Sequence, residues 1–322
     1  MMALAALPAR AAPEEVSFVV PTVSFTFTAT YVAEDAGIWA RQGLQVKTLR
    51  ILGVGALNAV IAGSVDFTNI TAGAFTRAAA HGQRLLAIAN TVDRPMIELV
   101  LRKELAAAAG FDAQQPLAQR GRALKGRTIS AGGVNSVLDG FVKIVALQAG
   151  LDPERDVRMA PMEASNVFPA FKSRAIDGFA LSQPWTIQAV RDGDAVVIAS
   201  SPAGDLPELV PLGYDLVVTR PEVCEKRPQV CQKMGRAFVE AVDFMYDHPK
   251  ETLAILKKRF DKIDDDLLAR SYEQILKATP RPPAVTKADL EHADTYNVMA
   301  KLIEPDQKLK SYDALYTDKF IR

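Results

Sequence analysis

Two periodicities alternate along the first hundred residues of the chain. Runs rich in β-branched and other apolar residues predict strands at 16–20, 45–51, 65–70, 85–91 and 96–102. Between them, apolar residues recur at helical spacing, which predicts helices ending near residues 42, 62 and 80. Such alternation is typical of an α/β protein with doubly wound, mostly parallel sheets. This is the fold class that we predict.

The stretch 128–150 predicts the same kind of unit again, as a short strand, a Gly132-Gly133 loop and a helix. Apolar residues of this helix recur at helical spacing, at Val137, Leu138, Phe141, Ile144 and Val145. Asn135 or Ser136 can cap its first turn, and Gly150 can end it. Backbone N–H groups at such a helix start can bind an anion or a polar group. The alternative is an ordinary turn of an α/β protein.

The unit is part of a longer repeat. Residues 45–79 overlay residues 156–190 without gaps at the level of residue class, with Val65-Asp66 facing Ile176-Asp177. Both copies predict a strand, a small polar loop, a helix, an Asp, a second strand and a second helix. Two similar α/β lobes normally bind a ligand between their strand-end loops. We therefore expect a cleft between two lobes.

The character of the chain changes after residue 200. A connection containing Pro and Gly leads to one strand at 214–219, and helices are predicted at 230–246, 250–260, 266–278 and 286–303. These helices are expected to pack back on the first lobe. The predicted division is residual signal or disordered chain at 1–13, lobe 1 at 14–97 and 205–322, and lobe 2 at 98–204, with crossings near 96–102 and 200–214. The acidic run 264–266 could hold a cation, but a helix cap is the favoured interpretation.

Charge and composition exclude several classes of protein. The 322 residues include 38 Lys and Arg and 38 Asp and Glu, which argues against a nucleic-acid binder or a polybasic membrane-surface protein. No apolar run reaches the ~20 residues that cross a bilayer. The apolar start followed by Ala9-Arg10-Ala11 predicts the end of an export signal, cut near Ala11 or Ala12, and a disordered Ala- and Pro-rich end is the alternative. No cofactor is expected.

The only cysteines are Cys224 and Cys231. In an exported chain, a closely spaced pair suggests a disulfide, while two buried free thiols are the alternative. The three histidines, His81, His248 and His292, are scattered along the chain, so no metal site is predicted.

Residues 31–70 carry a recognisable pattern of helix, Gly, a Gly-Leu-x-Val strand, a Gly loop, a helix and Gly-x-x-Asp. The matching positions are Gly37, Gly43, Leu44, Val46, Gly55, Ala56, Leu57, Gly63 and Asp66. This pattern resembles the N-terminal lobe of the periplasmic substrate-binding proteins of ABC importers for nitrate, sulfonates, taurine and pyrimidine thiamine precursors. Residues 124–157 and 171–185 are similar to second-lobe motifs of that family.

The resemblance implies a two-lobed periplasmic-binding-protein fold of type II that closes on a small molecule by a hinge motion. It also implies an exported, periplasmic monomer that docks on a permease in the inner membrane. The ligand-facing candidates are the strand-end loops of both lobes and one residue of the second crossing. They are Thr22, Ser24, Phe25, Phe27, Gly53, Gly55, Thr71 and Ala72 in the first lobe, Gly132, Gly133, Asn135, Ser136, Ala164, Asn166, Gln183 and Trp185 in the second, and Tyr214.

These loops offer hydroxyls, amides and backbone N–H groups, which suit sulfonates, carboxylates or ring nitrogens. Phe25, Phe27 and Trp185 could stack on a ligand or belong to the core. The loops hold no Arg or Lys, and Arg77 and Arg94 are expected at the surface, which disfavours an inorganic dianion. We predict a small organic acid or sulfonate, with an aromatic body as one form.

An enzyme on the same fold is the rival function. The resemblance to aromatic desulfinases would require a cysteine nucleophile in the first lobe, and pyrimidine synthases carry a cysteine-rich motif with clustered histidines. Residues 16–200 contain no cysteine, so no catalytic residue is predicted. A sensor that uses the same lobes for signalling is the other alternative.

Overall fold

Two five-stranded sheets organise the computed structural model, which describes residues 12–322. The strands, in chain order, are β1 Glu14–Val20, β2 Leu44–Arg50, β3 Phe67–Ile70, β4 Leu86–Val92, β5 Ile97–Arg102, β6 Thr128–Ser130, β7 Arg158–Met159, β8 Gly178–Ser182, β9 Ala195–Ser200 and β10 Asp215–Thr219. The strand order is β2-β1-β3-β10-β4 in the first sheet and β7-β6-β8-β5-β9 in the second.

Each sheet contains a single inverted strand. β10 is antiparallel to β3 and β4, and β5 is antiparallel to β8 and β9, whereas the neighbours of β1 and of β6 are parallel to them. The other strands of each sheet therefore run in one direction. The predicted α/β class with mostly parallel sheets is confirmed. Both inverted strands directly follow a crossing of the chain from one sheet to the other.

Helices cover the sheets. In chain order they are α1 Thr28–Asp35, α2 Ile38–Arg41, α3 Gly55–Ile61, α4 Ala72–Ala80, α5 Lys103–Ala108, α6 Leu117–Arg120, α7 Val137–Gln148, α8 Ala164–Lys172, α9 Trp185–Arg191, α10 Pro221–Lys226, α11 Pro228–Asp247, α12 Pro249–Arg259, α13 Asp265–Lys277 and α14 Lys287–Met299. Helix α11 packs on α1 and β4, and α14 packs on α4, so the C-terminal helices return to the first sheet. We call each sheet with its packed helices a lobe.

None of the helices in the described range 12–322 combines the length and the apolar character that a membrane span requires. The expected signal segment lies almost wholly outside the described residues, as does Ala11 of the expected cleavage site.

Helix α7 forms as the periodicity predicts. The Ser136 hydroxyl accepts a hydrogen bond from the Asp139 N–H at 3.2 Å, so Ser136 is the cap of the two candidates. Phe141, which is fully buried, lies on the apolar face that packs inside the second lobe. Burial of such a side chain contributes roughly 1.5–3 kcal/mol. Gly150 follows the helix with a φ of 74°, which glycine adopts without steric cost.

The predicted repeat is a structural repeat. The Asp66 Oδ2 accepts a hydrogen bond from the Ser17 N–H at 2.9 Å, and the Asp177 Oδ2 accepts one from the Thr128 N–H at 2.8 Å. In each lobe the aspartate precedes the central strand of the sheet, β3 or β8, and ties it to the neighbouring strand, β1 or β6. Equivalent carboxylates therefore hold equivalent strands in both lobes.

The acidic run 264–266 begins α13. The Asp264 carboxylate accepts a hydrogen bond from the Leu267 N–H at 3.0 Å and caps the helix, while Asp266 pairs with Arg270. This favours the cap over the cation site.

The two cysteines, Cys224 and Cys231, form a disulfide that joins α10 to α11.

The repeated aspartates predict a matched pair of stability losses. Asp66→Ala and Asp177→Ala should each lower the free energy of unfolding by about 1–3 kcal/mol, because each leaves a strand N–H without its acceptor. Asp66→Ala should cost more, since Asp66 also accepts from the Ser17 hydroxyl and lies 3.4 Å from Arg227. Urea unfolding measures both. Exposed Asp261→Ala is the control and should stay within about 0.5 kcal/mol of the parent. Equal stability losses for all three variants would contradict the role of Asp66 and Asp177 in holding the strands.

Candidate functional site

A cavity of about 120 Å³ lies between the two lobes. Its walls are the loops that follow the carboxyl ends of parallel strands, which is where α/β proteins normally bind ligands. We call it the interlobe cavity. It is lined by Pro21, Thr22, Val23, Ser24, Thr26, Phe27, Leu52, Gly53, Val54, Ile70, Thr71, Ala74, Gly132, Gly133, Ser136, Val137, Leu138, Met162, Ala164, Leu181, Ser182 and Tyr214.

Most of the predicted ligand-facing residues lie on this wall, contributed by both lobes and by the second crossing. They are Thr22, Ser24, Phe27, Gly53, Thr71, Gly132, Gly133, Ser136, Ala164 and Tyr214. The fold brings together loops that are far apart in sequence because the equivalent strand ends of the two sheets face each other. Contact of these residues with a ligand stays a prediction.

The remaining predicted residues lie off the wall of the cavity, for identifiable reasons. The ring of Phe25 packs on Phe260, with centroids 4.5 Å apart, so Phe25 belongs to the core. The Ala72 N–H donates to the Gly213 carbonyl at 2.7 Å, and the Trp185 ring packs beside Phe168, 6.1 Å between centroids. The others off the wall are Gly55 in the first turn of α3, Asn135 and Asn166 at exposed positions, and buried Gln183.

Several apolar residues of the wall were not predicted. Leu52 and Val54 flank Gly53 and are 48% and 38% exposed, which is high for such side chains. Met162 precedes α8, and Leu181 and Ser182 end β8. The signal that could have found Ser182 is its alignment with Thr71 in the repeat. For Leu52 and Val54, the available signal is their position beside a glycine turn.

Glycine at two of the turns is required by the backbone. Gly53 and Gly132 have φ values of 57° and 65°, in the left-handed region where a Cβ is unfavourable. A Cβ on Gly132 would also lie 3.2 Å from the Leu138 side chain. Both turns therefore bring the main chain to the cavity wall without side-chain bulk.

Hydroxyls and apolar side chains make up the chemistry of the wall. The Ser182 and Tyr214 hydroxyls are 3.0 Å apart and share a hydrogen bond between the second lobe and the second crossing. Burial raises the pKa of the Tyr214 hydroxyl above its usual range, so Tyr214 is neutral at physiological pH. These hydroxyls can donate hydrogen bonds to a ligand or accept them from it. The described part of the chain holds no cluster of metal-ligating side chains.

A buried polar network lies next to Tyr214. The Asp215 Oδ2 accepts from the Thr91 hydroxyl at 2.5 Å and from the Asn69 amide at 3.1 Å, and Asn69 accepts from Thr30 at 2.9 Å. Burial raises the pKa of the Asp215 carboxyl to about 8, although both hydrogen bonds favour its ionised form. At neutral pH this carboxyl therefore binds a proton inside the first lobe.

Polar contacts join the lobes on two sides of the cavity. The Arg191 guanidinium at the end of α9 lies 2.5 Å from the Asp264 carboxylate at the start of α13. On the other side, the Arg77 Nη2 donates to the Asn135 carbonyl at 2.9 Å, and the Tyr296 hydroxyl donates to the Val137 carbonyl. Arg77 is half-buried, which corrects the expectation of a surface residue, whereas Arg94 pairs with its neighbour Asp93 at 2.7 Å.

Comparisons with known proteins add to this geometry. The model of the NMT1-like family matches residues 12–258. No curated protein matches the sequence.

Solved structures match over nearly the whole chain. The alkanesulfonate-binding protein from Xanthomonas axonopodis pv. citri, solved with MOPS, has a TM-score of 0.70 and 16% identity, over 96% of this chain and 100% of that chain. The ligand-binding component of an ABC-type import system from Staphylococcus aureus has a TM-score of 0.70 and 12% identity, over 96% and 98%. The periplasmic nitrate-binding protein from Synechocystis has a TM-score of 0.62 and 15% identity, over 93% and 92%. The fold is therefore that of the periplasmic binding proteins.

The raised pKa of Asp215 predicts a pH-dependent stability. An unfolded carboxyl titrates near pH 4, so the contribution of Asp215 to the free energy of unfolding is complete below about pH 4 and is lost as pH rises to about 8. Tyr31 and Tyr214 face this group, but burial raises both of their pKa values, so neither ionises in this range. Asp215→Asn removes the titration.

The stability of Asp215→Asn relative to the parent should therefore rise steadily between about pH 5 and about pH 8. Urea unfolding of both proteins over this range measures the difference. A difference that does not change with pH would contradict a protonated Asp215.

The Arg191–Asp264 pair predicts a small effect on lobe opening. Asp264→Asn keeps the helix cap, because Asn caps as well as Asp, but removes the charge that faces Arg191. Both side chains are 45% exposed, so the loss should favour the open form by at most about fivefold. Single-molecule energy transfer between dyes on the two lobes measures this. Asp265→Asn, whose partner Lys257 lies in the same lobe, should leave the distribution unchanged.

Proposed function

The chain belongs to the NMT1-like family, and from this premise we propose that it is the solute-binding component of an ABC importer. It resides in the periplasm, captures a small organic anion in the interlobe cavity and delivers it to a permease in the inner membrane. Its structural neighbours, which bind alkanesulfonate or nitrate or serve ABC-type import, support this proposal.

The observation that carries the proposal is the shared wall of the interlobe cavity. Both lobes contribute strand-end loops to it, and within residues 12–322 the chain crosses between the sheets at 93–96 and 201–214. Bending of these two segments opens the cavity, and a ligand that contacts both lobes favours the closed form. Because one chain supplies both walls, a monomer is sufficient.

The lining indicates the size and character of the ligand. Phe27, Met162 and Leu181 supply apolar surface, while Ser24, Thr71 and Ser136 supply hydroxyls. A dry cavity of about 150 Å³ holds a benzene molecule, so about 120 Å³ sets the scale of a small organic molecule, and an aromatic acid requires the lobes to part slightly. A sulfonate or carboxylate on an aromatic or short aliphatic body is the ligand class that we propose.

Binding without catalysis is the favoured function over an enzyme on this fold. Cys224 and Cys231 are joined in a disulfide and lie in the core of the first lobe, so neither offers the thiolate that a cysteine nucleophile needs. The disulfide also suits an exported protein. A sensor would use the same cavity, and its partner would be a signalling protein in place of a permease.

Capture of a small molecule is the direct test. Native mass spectrometry of the purified protein should show a bound organic anion, or thermal shift should find one among sulfonates, aromatic carboxylates, nitrate and pyrimidines. A ligand at one hundred times its Kd stabilises the folded state by about 2.7 kcal/mol. Chemical conversion of a bound compound would contradict the proposal and favour an enzyme.

A cavity-filling variant locates the site. Ala164 is buried on the wall, so Ala164→Trp should occupy the cavity and abolish the ligand-induced shift, while overpacking costs about 1–3 kcal/mol of stability. Ala107→Trp, at an exposed position on α5, is the control and should bind like the parent. Undiminished binding by Ala164→Trp would place the ligand elsewhere.

A further inference from the structure

The interlobe cavity has no charged side chain on its wall, among the described residues that line it. An organic anion that loses its water shell there needs compensation, because burying an unpaired charge is costly. A candidate for the compensating cation lies behind the wall. A smaller cavity, of about 10 Å³, adjoins the first one through Thr71, Ala74 and Val137, and Arg77 lines it.

Helix α7 is less able to supply the charge. The Asp139 carboxylate accepts from the Asn135 N–H at 3.0 Å, so an internal anion already occupies the first turn of this helix. Lys143 lies 3.3 Å from the same carboxylate and also pairs with Glu154. The positive end of α7 and the Lys143 ammonium are thus neutralised within the second lobe.

Arg77, by contrast, has no carboxylate within 4.0 Å anywhere in the described range 12–322. Its Nη1 donates to the Asn297 Oδ1 at 2.6 Å and its Nη2 donates to the Asn135 carbonyl at 2.9 Å, so both partners are neutral. Asn297 is fully buried and donates to the Gly73 carbonyl at 3.0 Å, which holds it in place. Burial also lowers the pKa of the guanidinium, which nevertheless stays charged at physiological pH. A carboxylate that attracts it, Asp294, lies beyond 4.0 Å and accepts from the Leu309 N–H at 3.0 Å and from the Tyr312 hydroxyl at 2.8 Å. The half-buried guanidinium therefore remains available to an anion in the cavity.

We propose that Arg77 is the residue that makes the interlobe cavity selective for an anion over a neutral compound of the same shape, acting from behind Thr71 and Ala74. This rests on the proposed function. The smaller cavity has about the volume of one water molecule, so a single bridging water can connect the guanidinium to the anionic group.

The same residue couples the charge to lobe closure. Arg77 belongs to α4 of the first lobe, whereas Asn135 precedes α7 of the second. Asn135 has a φ of 58°, a left-handed conformation that Asn tolerates better than most residues. An anion in the cavity that attracts Arg77 therefore also stabilises the closed form, in which Arg77 of the first lobe donates to Asn135 of the second.

Matched acids and amides test the proposal. We would titrate the full chain by calorimetry with benzenesulfonate and benzenesulfonamide, with benzoate and benzamide, and with pentanesulfonate and pentanesulfonamide. The parent should bind at least one acid about tenfold or more tightly than its amide. Arg77→Gln should bring that ratio close to one, with both affinities lowered somewhat by the loss of the interlobe bond to Asn135. Arg77→Lys should keep most of the preference.

Two further variants separate charge from structure. Asn297→Asp keeps Arg77 but places a carboxylate beside it, so the preference for the acid should fall as in Arg77→Gln. Arg84→Gln is the control, because Arg84 is 68% exposed and pairs with Glu222, and it should leave the ratio unchanged. Melting curves of every variant confirm that the protein titrated is folded.

The outcomes distinguish this proposal from the proposed function. If an acid binds preferentially and Arg77→Gln keeps that preference while folded, the role of Arg77 is overturned and the binding function stands. If the parent binds the amides as tightly as the acids, the role of Arg77 and the anionic character of the proposed ligand are both overturned, while binding of a small molecule stands. If no compound of the panel binds and the purified protein carries no small molecule, both proposals fail together.

Discussion

The inverted strands β5 and β10 are the constraint on which the rest of the structure depends. Each is an interior strand, with β10 between β3 and β4 and β5 between β8 and β9. Neither sheet is continuous without a strand delivered by the chain after it has crossed from the other lobe. The hydrogen bonds of that strand can only be lost together with the core of its sheet. In the proposed function, relative motion of the lobes would therefore come from bending of the two crossing segments, and the cavity lies between the lobes that they connect.

The second crossing and the strand after it place polar groups in the interior, and the fold must supply hydrogen-bond partners for them. Tyr214 bonds with Ser182 of the other lobe, and its neighbour Asp215 is held by Thr91 and Asn69 of the first. Buried groups of this kind are costly when a partner is lost, so they define one arrangement of the strand more sharply than apolar packing would. The protonated state of Asp215 follows from the same burial, because an ionised carboxylate without a cation would destabilise the first lobe.

Sequence reasoning located the elements better than the site. Helix α7, a cap at Asn135 or Ser136 and the equivalence of Asp66 with Asp177 follow from residue type and spacing, which are local properties. Arg77 shows why the rest did not follow. Its helix was predicted, but an Arg on a helix is usually solvated, and its partners Asn135 and Asn297 are distant in sequence. Only a folded chain shows that these residues meet beside the cavity.

The sequence by itself determined the alternation of strand and helix, the repeated lobe, the helix caps and the family to which the chain is similar, because each depends on patterns within a few dozen residues. The tertiary structure decided which side of each loop faces the cavity. Leu52 and Met162 reach the wall while Phe25 packs on Phe260, although all of them lie in strand-end loops. The direction of a side chain in a loop is set by the neighbours that pack on it. Those neighbours come from distant parts of the chain, whose approach no local pattern encodes.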